Sequence, residues 1–222
     1  MKTHPPVPCL TTLEAQCADF LQSSPATDAA HDIDHIKRVV AAAKQFAQHE
    51  QADLAVVIPA AWLHDCVTLA KNDPNRHQAS ALAAQAAIRF LSSIAYPEHY
   101  FPAIYHAIEA HSFSANIPIT SREAAIVQDA DRIDALGAIG IARCIQVSTG
   151  FQSALYATDD PFGCTRPRDD KAYCIDHFYT KLFTLANTMN TAAAREEAQR
   201  RTAYMKGFLR QLGHEIGELF PE

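Results

Sequence analysis

The chain has 222 residues and a net charge of −6, with 20% charged and 48% hydrophobic residues, enough to bury one core of generous size. The acidic balance gives no electrostatic basis for binding a nucleic-acid polymer or an anionic membrane, since both reward a basic face. No apolar run approaches the roughly 20 residues needed to span a bilayer, so a membrane partner is not expected.

The opening MKTHPPVPCL has no apolar centre of signal-peptide length, and six scattered cysteines form no C-x-x-C pair. Both features read as a cytoplasmic protein with reduced thiols. Ala is abundant and Gly scarce, which favours an all-α fold. Thr11 or Thr12 is placed to cap a first helix that reaches about Ser23. Asp32 is placed to cap a second, Ile33 to about Gln51, whose residues Ile36, Val39, Val40, Ala43 and Phe46 keep a helical period. Asp53 starts a third helix, apolar almost all round and therefore buried, which ends near Asp65. KNDPN at 71–75 is turn chemistry. Helices are then expected at about 76–94, 98–111, 121–136 and 138–149. A long irregular loop covers 151–173, and two helices follow, at about 175–187 and 191–217. The domain organisation expected is an N-terminal helical extension over 1–27, a core over 28–150, and a flap with closing helices over 151–222 that completes the same domain.

Chemistry concentrates where titratable residues interrupt apolar faces. His35 shares a face with Val39 and Ala42, and His64 and Asp65 end the greasiest stretch of the chain. Asp131 and Asp134 follow the apolar AAIV at 124–127. A lone histidine on such a face is more often a satisfied core residue than a ligand. Several histidines and aspartates together would all be satisfied by one shared cation, and imidazoles with carboxylates suit Mn²⁺, Fe²⁺, Co²⁺, Ni²⁺ or Zn²⁺ better than Ca²⁺.

Four segments, HDIDHIKRV (31–39), AWLHDC (61–66), AIEAHSF (107–113) and QDADRIDALGAIGIAR (128–143), together resemble the HD-domain metal-dependent phosphohydrolases. DHFYTKL (176–182) is similar to a segment of one bacterial branch of that superfamily, and the likeness runs from about 28 to 217. It implies a single all-α HD-domain bundle with a metal in a central cleft, held by His35, His64, Asp65 and Asp131. The implied cofactor is one divalent cation, Mn²⁺ first, with Mg²⁺, Co²⁺, Ni²⁺, Fe²⁺ or Zn²⁺ as alternatives. Asp129 and Asp134 are the rivals to Asp131, and Asp134 is otherwise a candidate to hold a ligand water or a substrate group. His111 and His106 are the candidate general acids, with His111 favoured because it lies near a helix end. Substrate contacts are assigned to Lys71 and Arg76, and to His31 if its helix starts early. Asp176, His177 and Lys181 are read as cleft-lining or structural, and the arginines of the last helix as a solvated face.

The activity implied is hydrolysis of a small-molecule nucleotide, with a (deoxy)nucleoside triphosphate losing pyrophosphate ahead of a monophosphate losing phosphate. A di-iron HD-type oxygenase and a non-catalytic nucleotide-sensing module are the rival classes. A homodimer is a candidate assembly, because extensive apolar helix faces need covering.

Overall fold

The computed structural model describes residues 9–23, 33–69, 73–112 and 115–221. It is all-α, with no strand among those residues and one isolated bridge, Ala154 to Tyr173. Asp32, His31 and Lys71 lie outside the described residues. No described helix is long and apolar enough to cross a membrane. The chain divides into two compact units, Met1–Asp131 and Arg132–Glu222.

In the first unit, α1 (Leu10–Gln22), α2 (Ile33–Glu50), α3 (Leu54–Leu63), α4 (Ala79–Ser93) and α5 (Phe101–His111) precede α6 (Arg122–Ile133), whose last two residues belong to the second unit. The expected cap at Thr11 or Thr12 is corrected. The helix begins two to three residues earlier than such a cap implies, at Leu10, with Cys9 as N-cap and no side-chain capping bond. Asp53 does cap α3, and its carboxylate accepts the Ala55 N–H at 2.8 Å.

The α3 helix packs against α1, α2, α4 and α5, and Ala55 through Leu63 are all buried. Pro59 sits inside it and has no N–H to give the Ala55 carbonyl one turn back. The Tyr96 hydroxyl donates to that carbonyl instead, at 2.6 Å. A helix that would otherwise be interrupted thus survives in the centre of the unit. Glu14 of α1 accepts from Lys44 at 2.6 Å and from the Trp62 indole at 3.2 Å, which ties α1 to α2 and α3.

The second unit holds α7 (Gly137–Gly150), α8 (Cys174–His177), α9 (Phe183–Leu185) and α10 (Ala192–Ile216). Gly137, at φ +77°, turns the chain from α6 into α7, a backbone conformation that favours glycine. The helix expected over 175–187 is broken: Phe178–Leu182 winds as a π-helix and Ala186–Thr188 as a 3-10 turn. Wide and tight turns within one segment do not preserve a 3.6-residue period, so periodicity did not reveal them. The α10 helix buries Ala194, Ala198, Met205, Leu209 and Gly213 along one stripe. Its arginines are not merely solvated. Arg201 donates to the Ile133 carbonyl at 2.8 Å, and Arg195 to the Asn190 carbonyl at 2.9 Å.

The irregular 151–173 segment is held by carboxylates. Asp160 accepts the backbone N–H groups of Cys164, Thr165 and Arg166 at 2.9, 2.7 and 3.1 Å. Asp176, fully buried, accepts two bonds from Arg166, at 2.6 and 2.8 Å, and the Asp169 N–H at 2.6 Å. Removing one partner of a buried, hydrogen-bonded pair strands the other charge, at a cost of about 3–5 kcal/mol. Asp176→Ala is therefore expected to lower Tm by on the order of 10 °C, read by thermal unfolding of the purified variant. An unchanged Tm would show that the pair contributes nothing net.

Candidate metal centre

Five residues of the first unit converge. His35 is the third residue of α2, His64 follows the last residue of α3, Asp65 starts the turn after it, and His111 ends α5. Asp131 lies in the last turn of α6. Ligating atoms of His35, His64 and Asp131 all lie within 4.8 Å of one another, and so do those of His64, Asp65 and His111. His35 Nε2 is 3.5 Å from Asp131 Oδ1. His64 Nε2 is 3.9 Å from the same oxygen and 3.6 Å from Asp65 Oδ2, while His111 Nε2 is 3.4 Å from Asp65 Oδ1.

The helix ends explain the orientation of two imidazoles. The last carbonyls of an α-helix have no intrahelical donor. His64 Nδ1 donates to one of them, Ala61 O, at 2.8 Å, and His111 Nδ1 donates to another, Ile108 O, at 2.6 Å. A carbonyl only accepts, so each Nδ1 carries the proton and each Nε2 is turned towards the carboxylates. A backbone carbonyl that fixes the tautomer in this way is the usual outer support of a metal-bound histidine. His64 Nε2 is fully buried and has no hydrogen-bond partner among the described residues. A buried nitrogen of this kind, facing two carboxylates, fits a divalent cation.

The electrostatics separate the histidines. Burial holds His64 below the ordinary imidazole value, so its Nε2 keeps a lone pair at neutral pH. His111 is pushed down by burial too, but the hydrogen bond and charge of Asp65 outweigh this and leave it raised. Burial pushes Asp131 up, yet the hydrogen bond from His35 and the neighbouring imidazoles bring it down to about 2. A cation binding here competes with these protons. Its affinity is expected to fall as pH drops below about 6.5, where His64 takes up a proton on the nitrogen that would face the cation, measured by calorimetric Mn²⁺ titration at several pH values. An affinity flat across that range would argue against imidazole ligands.

Beside Asp65 and His111 opens a cavity of about 80 Å³, whose wall includes Arg76, Ser80, Thr68 and Ser112. Arg76 is therefore brought to the site. Other expected residues have local partners or surroundings of their own. His106 faces Thr120, whose backbone N–H and hydroxyl lie 3.2 and 2.9 Å from its Nε2. Asp134 is buried in an ion pair with Arg143 at 2.5 Å, so its carboxylate is engaged as a strut of the second unit. Asp176 is the anchor described above. His177 Nδ1 lies 3.0 Å from Asp170, and Lys181 is exposed. Asp129 is fully buried but joins no metal-capable group among the described residues. Sequence reasoning missed Ser80. A serine at the start of a helix reads as a capping residue, and nothing in RHQASAL sets it apart.

Residues 32–136 match the HD domain. Over 191 residues the chain is 34% identical to YpgQ of Bacillus subtilis, covering 84% of each. The crystal structure of YpgQ in complex with ADP superposes with a TM-score of 0.71 at 30% identity, covering 93% of this chain and 96% of that one. An HD-superfamily hydrolase from Bacillus thuringiensis gives a TM-score of 0.74 at 29% identity, over 94% of this chain and 99% of the other.

Proposed function

Because the chain belongs to the HD-domain superfamily, we propose that it is a metal-dependent phosphohydrolase of nucleotides, acting first on (deoxy)nucleoside triphosphates to release pyrophosphate. The observation that carries the reading is the convergence of His35, His64, Asp65 and Asp131, with a buried and unmatched His64 Nε2 among them. These four residues would hold one divalent cation, which mixed imidazole and carboxylate donors place among Mn²⁺, Fe²⁺, Co²⁺, Ni²⁺ and Zn²⁺ rather than Ca²⁺, and of these we propose Mn²⁺. When bound, such a cation supplies a water of lowered pKa and draws charge from a phosphoryl oxygen. The nucleotide class is supported by YpgQ, a relative crystallised with ADP.

The protein's own groups supply the rest. His64 and Asp65, fixed at the end of α3, and His35, early in α2, set the position of the reacting centre before substrate arrives, which lowers the entropic cost of attack. His111 Nε2 faces the site, 3.4 Å from Asp65 Oδ1, and a proton on it would point at the reacting centre. As a water oxygen bonds to the α-phosphorus and its proton passes to solvent, His111 gives its own proton to the bridging oxygen whose bond to that phosphorus breaks, and pyrophosphate leaves without a full charge on that oxygen. Arg76, on the wall of the adjoining cavity, faces the phosphate charge.

The test is release of pyrophosphate and of phosphate by Mn²⁺-loaded protein across a panel of nucleoside mono-, di- and triphosphates. Pyrophosphate from triphosphates supports the reading. Phosphate alone from monophosphates moves the protein to a phosphatase, and no release from any nucleotide overturns it. His111→Gln is expected to lower kcat by about 10²–10⁴-fold with the metal retained, the range for loss of a general acid. Metal analysis and kcat on one sample check this.

A further inference from the structure

Ser80 is the second residue of α4, is only 3% exposed, and its hydroxyl has no hydrogen-bond partner among the described residues. A buried hydroxyl without a partner is destabilising, and most are matched by protein or water. Ser80 differs from the other unmatched buried hydroxyls, Tyr179 and Thr202, because it lines the cavity beside Asp65 and His111. Arg76, one turn before it, lines the same cavity and offers up to five N–H donors and no acceptor. Thr68 and Ser112 add hydroxyls to the wall. The amino end of a helix such as α4 also favours negative charge. A cavity rich in donors, with a fixed cation on its wall and the proposed metal ligand Asp65 at its edge, suits an anion with several acceptor oxygens.

Resting on the phosphohydrolase reading above, we propose that Ser80 and Arg76 form the subsite for the leaving pyrophosphate, and that Ser80 Oγ donates to one of its oxygens. Ser80 then reads the number of phosphates. A monophosphate leaves this subsite empty, whereas a triphosphate places two phosphoryl groups in it. The cost of an unmatched hydroxyl in the free protein is recovered when substrate binds, as is common for groups built into a site.

The experiment compares wild type and Ser80→Ala as full-length, Mn²⁺-loaded proteins. Alanine is a good helix former and removes only the oxygen. The dissociation constant of inorganic pyrophosphate and the KM for a nucleoside triphosphate are expected to rise about tenfold, the scale of one lost hydrogen bond to a charged group. The dissociation constants of Mn²⁺ and of a nucleoside monophosphate should stay within about twofold, and kcat for the triphosphate should fall less than its KM rises. Without ligand, Ser80→Ala should melt no lower than wild type, because the unmatched hydroxyl is gone. Unchanged pyrophosphate affinity and triphosphate KM, in a wild type that hydrolyses triphosphates, would overturn the subsite and leave the hydrolase reading intact. A lower melting temperature with unchanged pyrophosphate affinity would also overturn it, by showing that the hydroxyl holds a structural water. Wild type that neither binds pyrophosphate nor hydrolyses any nucleotide would overturn both readings together.

Discussion

His64→Ala and Asp65→Ala are each expected to lose stoichiometric metal, and to lower phosphohydrolase activity by about a thousandfold or more, the scale of removing a group that stabilises developing charge. The reason lies in the end of α3. His64 is fully buried, its Nδ1 is committed to Ala61 O, and its Nε2 has no partner among the described residues. Asp65 acts on two sides, towards His64 Nε2 at 3.6 Å and towards His111 Nε2 at 3.4 Å. Asp65→Ala should therefore also let the His111 pKa fall, because burial is then unopposed by the carboxylate. An NMR titration of the metal-free variant reads that shift independently of activity. Both variants retaining metal and full activity would remove the doublet from the centre.

Asp131→Asn separates this centre from its rivals Asp129, on α6, and Asp134, just after it. Asparagine keeps the shape of aspartate and loses the charge that holds a cation. Asp131, 3.5 Å from His35 Nε2 and 3.9 Å from His64 Nε2, is the only α6 carboxylate in a metal-capable group among the described residues. The variant should lose metal and activity outright. Asp129→Asn should keep the metal. Asp134→Asn should also keep it but fold less stably, because Arg143 loses the charge of its buried partner, a penalty of about 3–5 kcal/mol when such pairs are broken. Metal content and urea midpoints of the three variants decide. If Asp131→Asn stays loaded while Asp129→Asn is empty, the cluster has to be rebuilt around Asp129.

The features that could be read from the sequence are those that local patterning controls. The all-round apolarity of LAVVIPAAWL implies a buried helix, and α3 is one. Two adjacent ionisable residues at its end call for a partner and a helix terminus, and α3 stops at Leu63, one residue before His64. Asp53 as a cap follows from side-chain chemistry two residues away. What could not be read depends on partners that the fold brings from far along the chain. Asp134 carries no mark of Arg143, nor Asp176 of Arg166, and a buried aspartate looks the same in sequence whether it holds a metal or an arginine. His106 and His111 stand five apart on one helix. Only the position of the α5 terminus leaves His111 with a carbonyl at Ile108, while His106 meets Thr120. The Tyr96 hydroxyl that relieves Pro59 in α3 comes from 41 residues beyond the carbonyl it reaches, and neither segment announces the other.

The most direct measurement is an anomalous-difference map, at the manganese edge, from crystals of the full chain grown with Mn²⁺. The account predicts one strong peak within about 2.2 Å of His35 Nε2, His64 Nε2 and a carboxylate oxygen of Asp65 and of Asp131, usual distances for such ligands. A protein with no peak at these four residues, or with its peak at Asp134 or His177 instead, would contradict it.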